Sequence, residues 1–351
     1  MWRLFSIWIV LTQIYWLPGL PTAAMTAVKF SGFVVFVLHA FWNSREFKSN
    51  IPVLLLISSS ALVSLDVFSK LLLIWTIGSM IRIHNGKTVA DIPLSLVGLF
   101  LLPSLGYVVP WIRTIPVPLQ YFETHYRWLD FWEYGWNGVS TGYGYSLFFL
   151  LTQLWQWERS KARTFLVCWT AFAVVLTGSA LSLVFASLFL FTRFFRFSLF
   201  IEAAALVAMI SVVPKDTLLE LGNSRFEQYP ELLKIDWVDV LFSGRENEII
   251  NEHKFHNGFL STIIEYGLFG VVVVAYATRG IWRNLSSHGM LNNTFILIVL
   301  YNCFEPSNIF GNWSSLIPFW FIFFIQKQAS ARSQQQDHST FTQGAMRTSI
   351  S

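Results

Sequence analysis

Charge is what this chain has least of. Lys, Arg, Asp and Glu make up 13% of its 351 residues, against 54% hydrophobic, and the mean hydropathy is +0.52. A soluble domain of this length would not carry such long apolar runs, so the class expected is an all-α polytopic membrane protein. Cysteine is nearly absent. Cys168 and Cys303 sit in apolar runs without a CxxC partner, which removes a disulfide framework and a zinc site and leaves both to packing. The formal charge of +4 does not call for nucleic acid, because membrane chains gather Lys and Arg in cytoplasmic loops. No internal repeat is visible, and that weakens a transporter reading without excluding it.

What is present is a series of apolar segments. With a span of about 20 residues, shorter where helices are tilted or re-entrant, twelve fit. They lie near 4 to 19, 24 to 42, 51 to 65, 67 to 83, 92 to 112, 142 to 157, 164 to 178, 180 to 193, 196 to 213, 257 to 278, 292 to 304 and 312 to 326. The first resembles a signal peptide, but further spans follow at once, so an uncleaved helix is expected. Thr177, Gly178 and Ser179 leave open whether the seventh and eighth segments form one long hairpin with a break. Residues 1 to 112, 142 to 213 and 257 to 326 thus form three helical groups, with connecting segments at 113 to 141 and 214 to 256 and a polar tail at 327 to 351. The tail is expected to be disordered.

Arg45, Lys48, Arg82, Lys87, Arg159, Lys161, Arg193, Arg279 and the basic residues of both termini fall on one side of this scheme. The positive-inside rule makes that side cytoplasmic, including both termini. The two long segments then face outward, and the second, between the ninth and tenth helices, holds nine of the 20 acidic residues. It reads as a solvated loop domain.

The second loop runs into a helix through FSGRENEIINEHKFHNGFLSTIIEYGLFG, residues 242 to 270. His256 stands at that junction, where an imidazole is reachable from water and serves as a base near neutral pH. Arg245 offers a planar fork for phosphate oxygens. Base and clamp together point to group transfer from a phosphorylated lipid. The plain alternative is that His-Asn means little, since His84-Asn85 repeats it on a cytoplasmic loop. Glu265, nine residues on, falls about 900° round a regular helix, on the opposite face and about 13 Å deeper; a functional carboxylate and a structural hydrogen bond are equally open readings. Gly267 and Gly270 favour close helix packing. His253 and His256 lack a third metal ligand at a recognisable spacing. Glu246 with Glu248, or Asp236 with Asp239, read as solvated rather than as a cation site. No metal or cofactor is expected. Lys70 and Glu202, inside helices, are either partners or, for Lys70, a snorkelling side chain. The aromatic segment 120 to 146 offers rings that stack on sugars or anchor at the interface, with His125 and Arg127 as lesser candidates.

These motifs resemble the membrane O-antigen ligase and polysaccharide polymerase family. The shared marks are Ser243-Gly244-Arg245, then His256-Asn257 with Phe259 in the aromatic slot and Leu260, then Glu265 and Gly267; residues 174 to 191 resemble the family's Leu-Thr-x-Ser-Arg helix break. The likeness covers about residues 140 to 326 and rests on the order of the motifs. It implies a GT-C-like fold of about twelve helices in the bacterial inner membrane and a metal-independent, inverting glycosyltransferase acting on the outer face. The donor would be a glycan on undecaprenyl diphosphate, and the acceptor a sugar hydroxyl on another repeat unit or on lipid A core. A chain-length regulator is a further implied partner. The resemblance assigns proton abstraction to His256, the diphosphate to Arg245, and substrate contacts to Asn257. Where relatives carry Ser-Arg, this chain has Ser179-Ala180, so Arg113, Arg127 or Arg225 is needed as a substitute cation.

Overall fold

The computed structural model describes residues 1–13, 22–43, 47–62, 64–84, 97, 101, 140–156, 158–176, 180–195, 235–243, 257–285, 290–303, 309–311, 313 and 316–328. Among these the regular structure is all helix. In chain order the helices are α1 (Trp2–Gln13), α2 (Thr22–Asn43), α3 (Phe47–Ser60), α4 (Leu65–Ile83), α5 (Ser140–Leu154), α6 (Lys161–Leu176), α7 (Ala180–Phe195), α8 (Trp237–Ser243), α9 (Gly258–Leu285) and α10 (Met290–Cys303). A last helix, α11, spans 316 to 328.

Two helical stretches, Thr26–Asn43 and Gly258–Trp282, are long and apolar enough to cross a membrane; Ile51–Ser60, Gly144–Leu154, Leu181–Phe191 and Thr294–Cys303 are shorter apolar helices. Nine of the twelve expected segments thus coincide with α1 to α7, α9 and α10, and a tenth with α11. The segments expected at 92 to 112 and 196 to 213 lie outside the described residues, apart from helical Val97 and Leu101. Leu176 and Ala180 close one helix and open the next, and α6 packs on α7. Residues 177 to 179, on which the question of one long hairpin turns, lie outside the described residues.

Local chemistry explains several ends. Ser160 Oγ accepts the Arg163 N–H at 3.1 Å, opening α6 as an N-cap. The Arg163 guanidinium reaches back to the carbonyls of Leu154 and Trp155 at 3.2 and 2.8 Å, which the end of α5 would otherwise leave unpaired. Asp236 Oδ1 accepts the Val238 N–H at 2.9 Å and starts α8.

One large core joins most helices, with Phe5, Phe148, Phe189, Phe295, Tyr301 and Trp320 among its fully buried side chains. Its contacts show which helix ends lie together. Trp2 at the start of α1 meets His84 after α4, and His84 stacks on His39 in the last turns of α2. At the other end, Gln13 closes α1 against Ser146 in the first half of α5. There too Tyr301, in the last turn of α10, meets Ser182 in the first turn of α7. α1 thus runs from the first end to the second and α2 returns, α4 finishes at the first end, and α5 and α7 start at the second.

Candidate functional site

The motif-bearing helix starts at Asn257. Its side-chain Oδ1 accepts the N–H groups of Phe259 and Leu260 at 3.1 and 3.0 Å, the two-donor pattern of an N-cap. The oxygen of a residue read as a substrate contact is thus engaged in holding the helix start. His256 immediately precedes it and lies outside the described residues, as do Arg113, Arg127, Ser179, Arg225, Arg245 and Glu202.

Ten residues after Asn257 the helix breaks. Gly267 has φ 54° and ψ −130° inside α9, a region that essentially only glycine occupies. A Cβ there would meet the Leu241 carbonyl oxygen at 2.7 Å and that of Val240 at 2.9 Å. Gly270 fits against the Thr262 carbonyl of the segment before the break. The close packing expected of both glycines is therefore present, but Gly267 packs on α8 and Gly270 on its own helix. α9 is two segments, 258 to 266 and 268 to 285. The second has 18 residues (285 − 268 + 1) and is about 27 Å long, near the thickness of a bilayer core. Depth counted along one regular helix stops at this break, and Glu265, half-buried, sits two residues before it.

The partner at the break is α8. Ile235 and Val240 from the loop form a small separate core with Ile264 and Leu260 of α9. α8 ends at Ser243, the first residue of the Ser-Gly-Arg motif. The fold thus seats the chain leading into Arg245 against the helix whose start follows His256. Sequence spacing separates these helices; the structure packs α8 on α9.

Opposite the break, Lys70 of α4 is 6% exposed. Its Nζ donates to Asp66 Oδ2 at 2.7 Å and to the Tyr266 hydroxyl at 2.5 Å, and it lies 4.6 Å from the Tyr266 ring centre. Tyr266 in turn packs edge-on against Phe310. Among the described residues this is the one ion pair. The snorkelling reading of Lys70 is corrected: the ammonium is buried and tied to Asp66, one turn back, because a buried cation without a paired anion is costly. Asp66, Lys70 and Tyr266 thereby fix the break to α4.

A polar seam escaped the reading of the sequence. Ser146 donates to Gln13 Oε1 at 3.1 Å, the Ser182 and Tyr301 hydroxyls are 2.7 Å apart, and Asn302 Nδ2 reaches the Tyr145 hydroxyl at 3.4 Å. Asn302 Oδ1 is buried without a hydrogen-bond partner. The seam ties α1, α5, α7 and α10 at the same end of the bundle as the α9 break. Each member is a lone polar residue in an apolar run, so the available signal was the shared phase of Tyr301-Asn302 and Tyr145-Ser146. No protein family, curated protein or solved structure matches the chain.

Proposed function

We propose that the chain is a multi-pass membrane glycosyltransferase of the O-antigen ligase and polymerase type, with about twelve helices and both termini cytoplasmic. Polymerisation of repeat units is preferred to ligation, because no residue of the sequence marks a lipid A core acceptor. The observation that carries the reading is the seating of α8 at the α9 break. Val240 and Leu241 of α8, which ends at Ser243, pack on Ile264 and Gly267 of α9, the helix capped by Asn257, and this packing supports the reading.

In this reading the donor is a glycan on undecaprenyl diphosphate. His256 takes the proton of the acceptor hydroxyl while that oxygen bonds the anomeric carbon from the face opposite the diphosphate. The bond from that carbon to the diphosphate oxygen breaks, its electron pair leaves with the lipid diphosphate, and Arg245 offsets the growing charge. The configuration inverts. Arg113, Arg127 or Arg225 supplies the second cation that Ala180 does not. A transporter of lipid-linked glycan has less support, since it needs charged residues along several helices and Lys70 is the only fully buried charged side chain among the described residues.

The test is complementation of a strain lacking its own polymerase or ligase, with wild type, His256→Ala and Arg245→Ala at equal membrane abundance. Both substitutions are expected to abolish polymer on its acceptor while lipid-linked donor accumulates. A retained single repeat identifies a polymerase; loss of the whole ladder from lipid A identifies a ligase. Wild-type polymer from His256→Ala would remove the base assignment and favour transport. Failure of wild type to restore any polymer would point to a relative that has lost catalysis.

A further inference from the structure

Away from the α9 break, a cavity of about 200 Å³ opens between α3, α4, α9 and α11. Its walls are apolar, among them Leu56, Ile74, Val273 and Trp320, and among the described residues no carboxylate lines it. Ser79, Arg82 and Tyr276 are its polar members. By the volume of a water, about 30 Å³, it holds roughly seven methylene-sized groups. Beside it α3 and α9 leave Val53, Leu55 and Val272 exposed, so the apolar surface continues outside the cavity.

The cations gather at one end of it. Tyr276 packs on Trp320, and Gly280, four residues on, packs on Phe323, so α9 and α11 run in the same direction. The Lys70–Tyr266 bond and the shared lining of Gly78, Ser79 and Tyr276 give α4 that direction as well. Gly78 lies against Phe324. Arg82 is four residues after Gly78 and Lys327 three after Phe324, so each keeps roughly the same face and stands about 5 Å further along its helix. Lys327 Nζ donates to the Tyr276 hydroxyl at 3.1 Å and remains exposed. Two cations thus face the same end of an apolar slot.

We propose that this slot holds the headgroup-proximal part of one acyl chain of an anionic glycerophospholipid, with its phosphate between Arg82 and Lys327. Apolar walls at helix depth suit a hydrocarbon chain, and a basic rim complements a phosphodiester; basic pockets between membrane helices bind such headgroups. The second chain of the lipid lies along the exposed face of α3 and α9. The inference rests on the membrane reading and is independent of the transferase chemistry.

The experiment is native mass spectrometry of the full chain, purified in detergent, delipidated and titrated with phosphatidylglycerol or phosphatidylcholine. A preliminary carbonate wash checks that the protein resists extraction from membranes; release into the wash would overturn the membrane reading and this inference with it. The wild type is expected to retain phosphatidylglycerol at least about fivefold over phosphatidylcholine. Lys327→Gln is expected to reduce that preference and Arg82→Gln with Lys327→Gln to bring it to parity. Ser79→Phe, which fills the slot, is expected to lower retention of both lipids. Parity in the wild type, or a preference unchanged by Lys327→Gln and by the double substitution, overturns the proposal. A preference that survives Ser79→Phe at full retention places the lipid on the surface and overturns the slot.

Discussion

Gly267 shows how much can depend on one missing side chain. At φ 54° and ψ −130° a Cβ is strained by the backbone alone, by about 1–3 kcal/mol, and here it would also press on the Leu241 carbonyl at 2.7 Å. Gly267→Ala is therefore expected to lower the unfolding temperature in detergent and, under the proposed function, to weaken polymer synthesis. An unchanged melting curve would mean that the break relaxes. Lys70 is the second residue of this kind. Its ammonium bonds Asp66 and Tyr266, and a hydrogen bond to a charged group contributes about 1.5–3 kcal/mol. A double-mutant cycle of Lys70→Met and Tyr266→Phe should give a coupling energy of about 1–2 kcal/mol in thermal unfolding. Additive effects would show that the two side chains do not act together.

At the scale of elements, the cap of α9 separates two roles of one side chain. Asn257→Ala removes the acceptor for two N–H groups and should destabilise the helix start by about 1 kcal/mol; Asn257→Ser keeps a capping oxygen and should restore most of it. Hydrogen exchange in residues 258 to 262 reads this directly. If Asn257→Ser keeps protection yet loses polymer, its amide contacts substrate; if polymer is kept, the residue serves the helix. The helices themselves were legible because about 20-residue hydropathy sees them: the expected segments 24 to 42 and 67 to 83 differ from α2 and α4 by at most two residues at either end. The break in α9 was not legible, because hydropathy carries no information on φ. Glycine at 267 and 270 was the only mark, and helix packing explained it equally well. The seam through Ser182, Tyr301 and Asn302 was hidden for another reason. Pairing across 119 or 157 residues depends on tertiary phase, which a window along the chain does not contain. The site was legible only as an order of motifs: Ser243 and Asn257 were named from sequence, but the packing that relates them runs through Val240 and Ile264, ordinary apolar residues.

For the whole molecule, the two ends of the bundle carry different chemistry, and this makes sidedness testable. His39, His84, Arg82 and Lys327 belong to one end; the α9 break, the Lys70 cluster and the seam belong to the other. The positive-inside rule assigns the basic end to the cytoplasm, and lipid-linked glycan assembly then requires the break to face outward. Cys168 and Cys303 can be replaced to leave single cysteines at Lys87 or Glu158, each four residues along the sequence from the end of α4 or α5, or at Asp130 or Glu231 in the two long connecting segments. An impermeant maleimide on intact spheroplasts is expected to label Asp130→Cys and Glu231→Cys, and to reach Lys87→Cys and Glu158→Cys only after lysis. The reverse pattern would turn the chain over and place His256 in the cytoplasm, away from an outward-facing donor. The transferase proposal would then fail even if the fold, the break and the Lys70 cluster were all as described, because a catalytic base has to share a compartment with the hydroxyl it deprotonates.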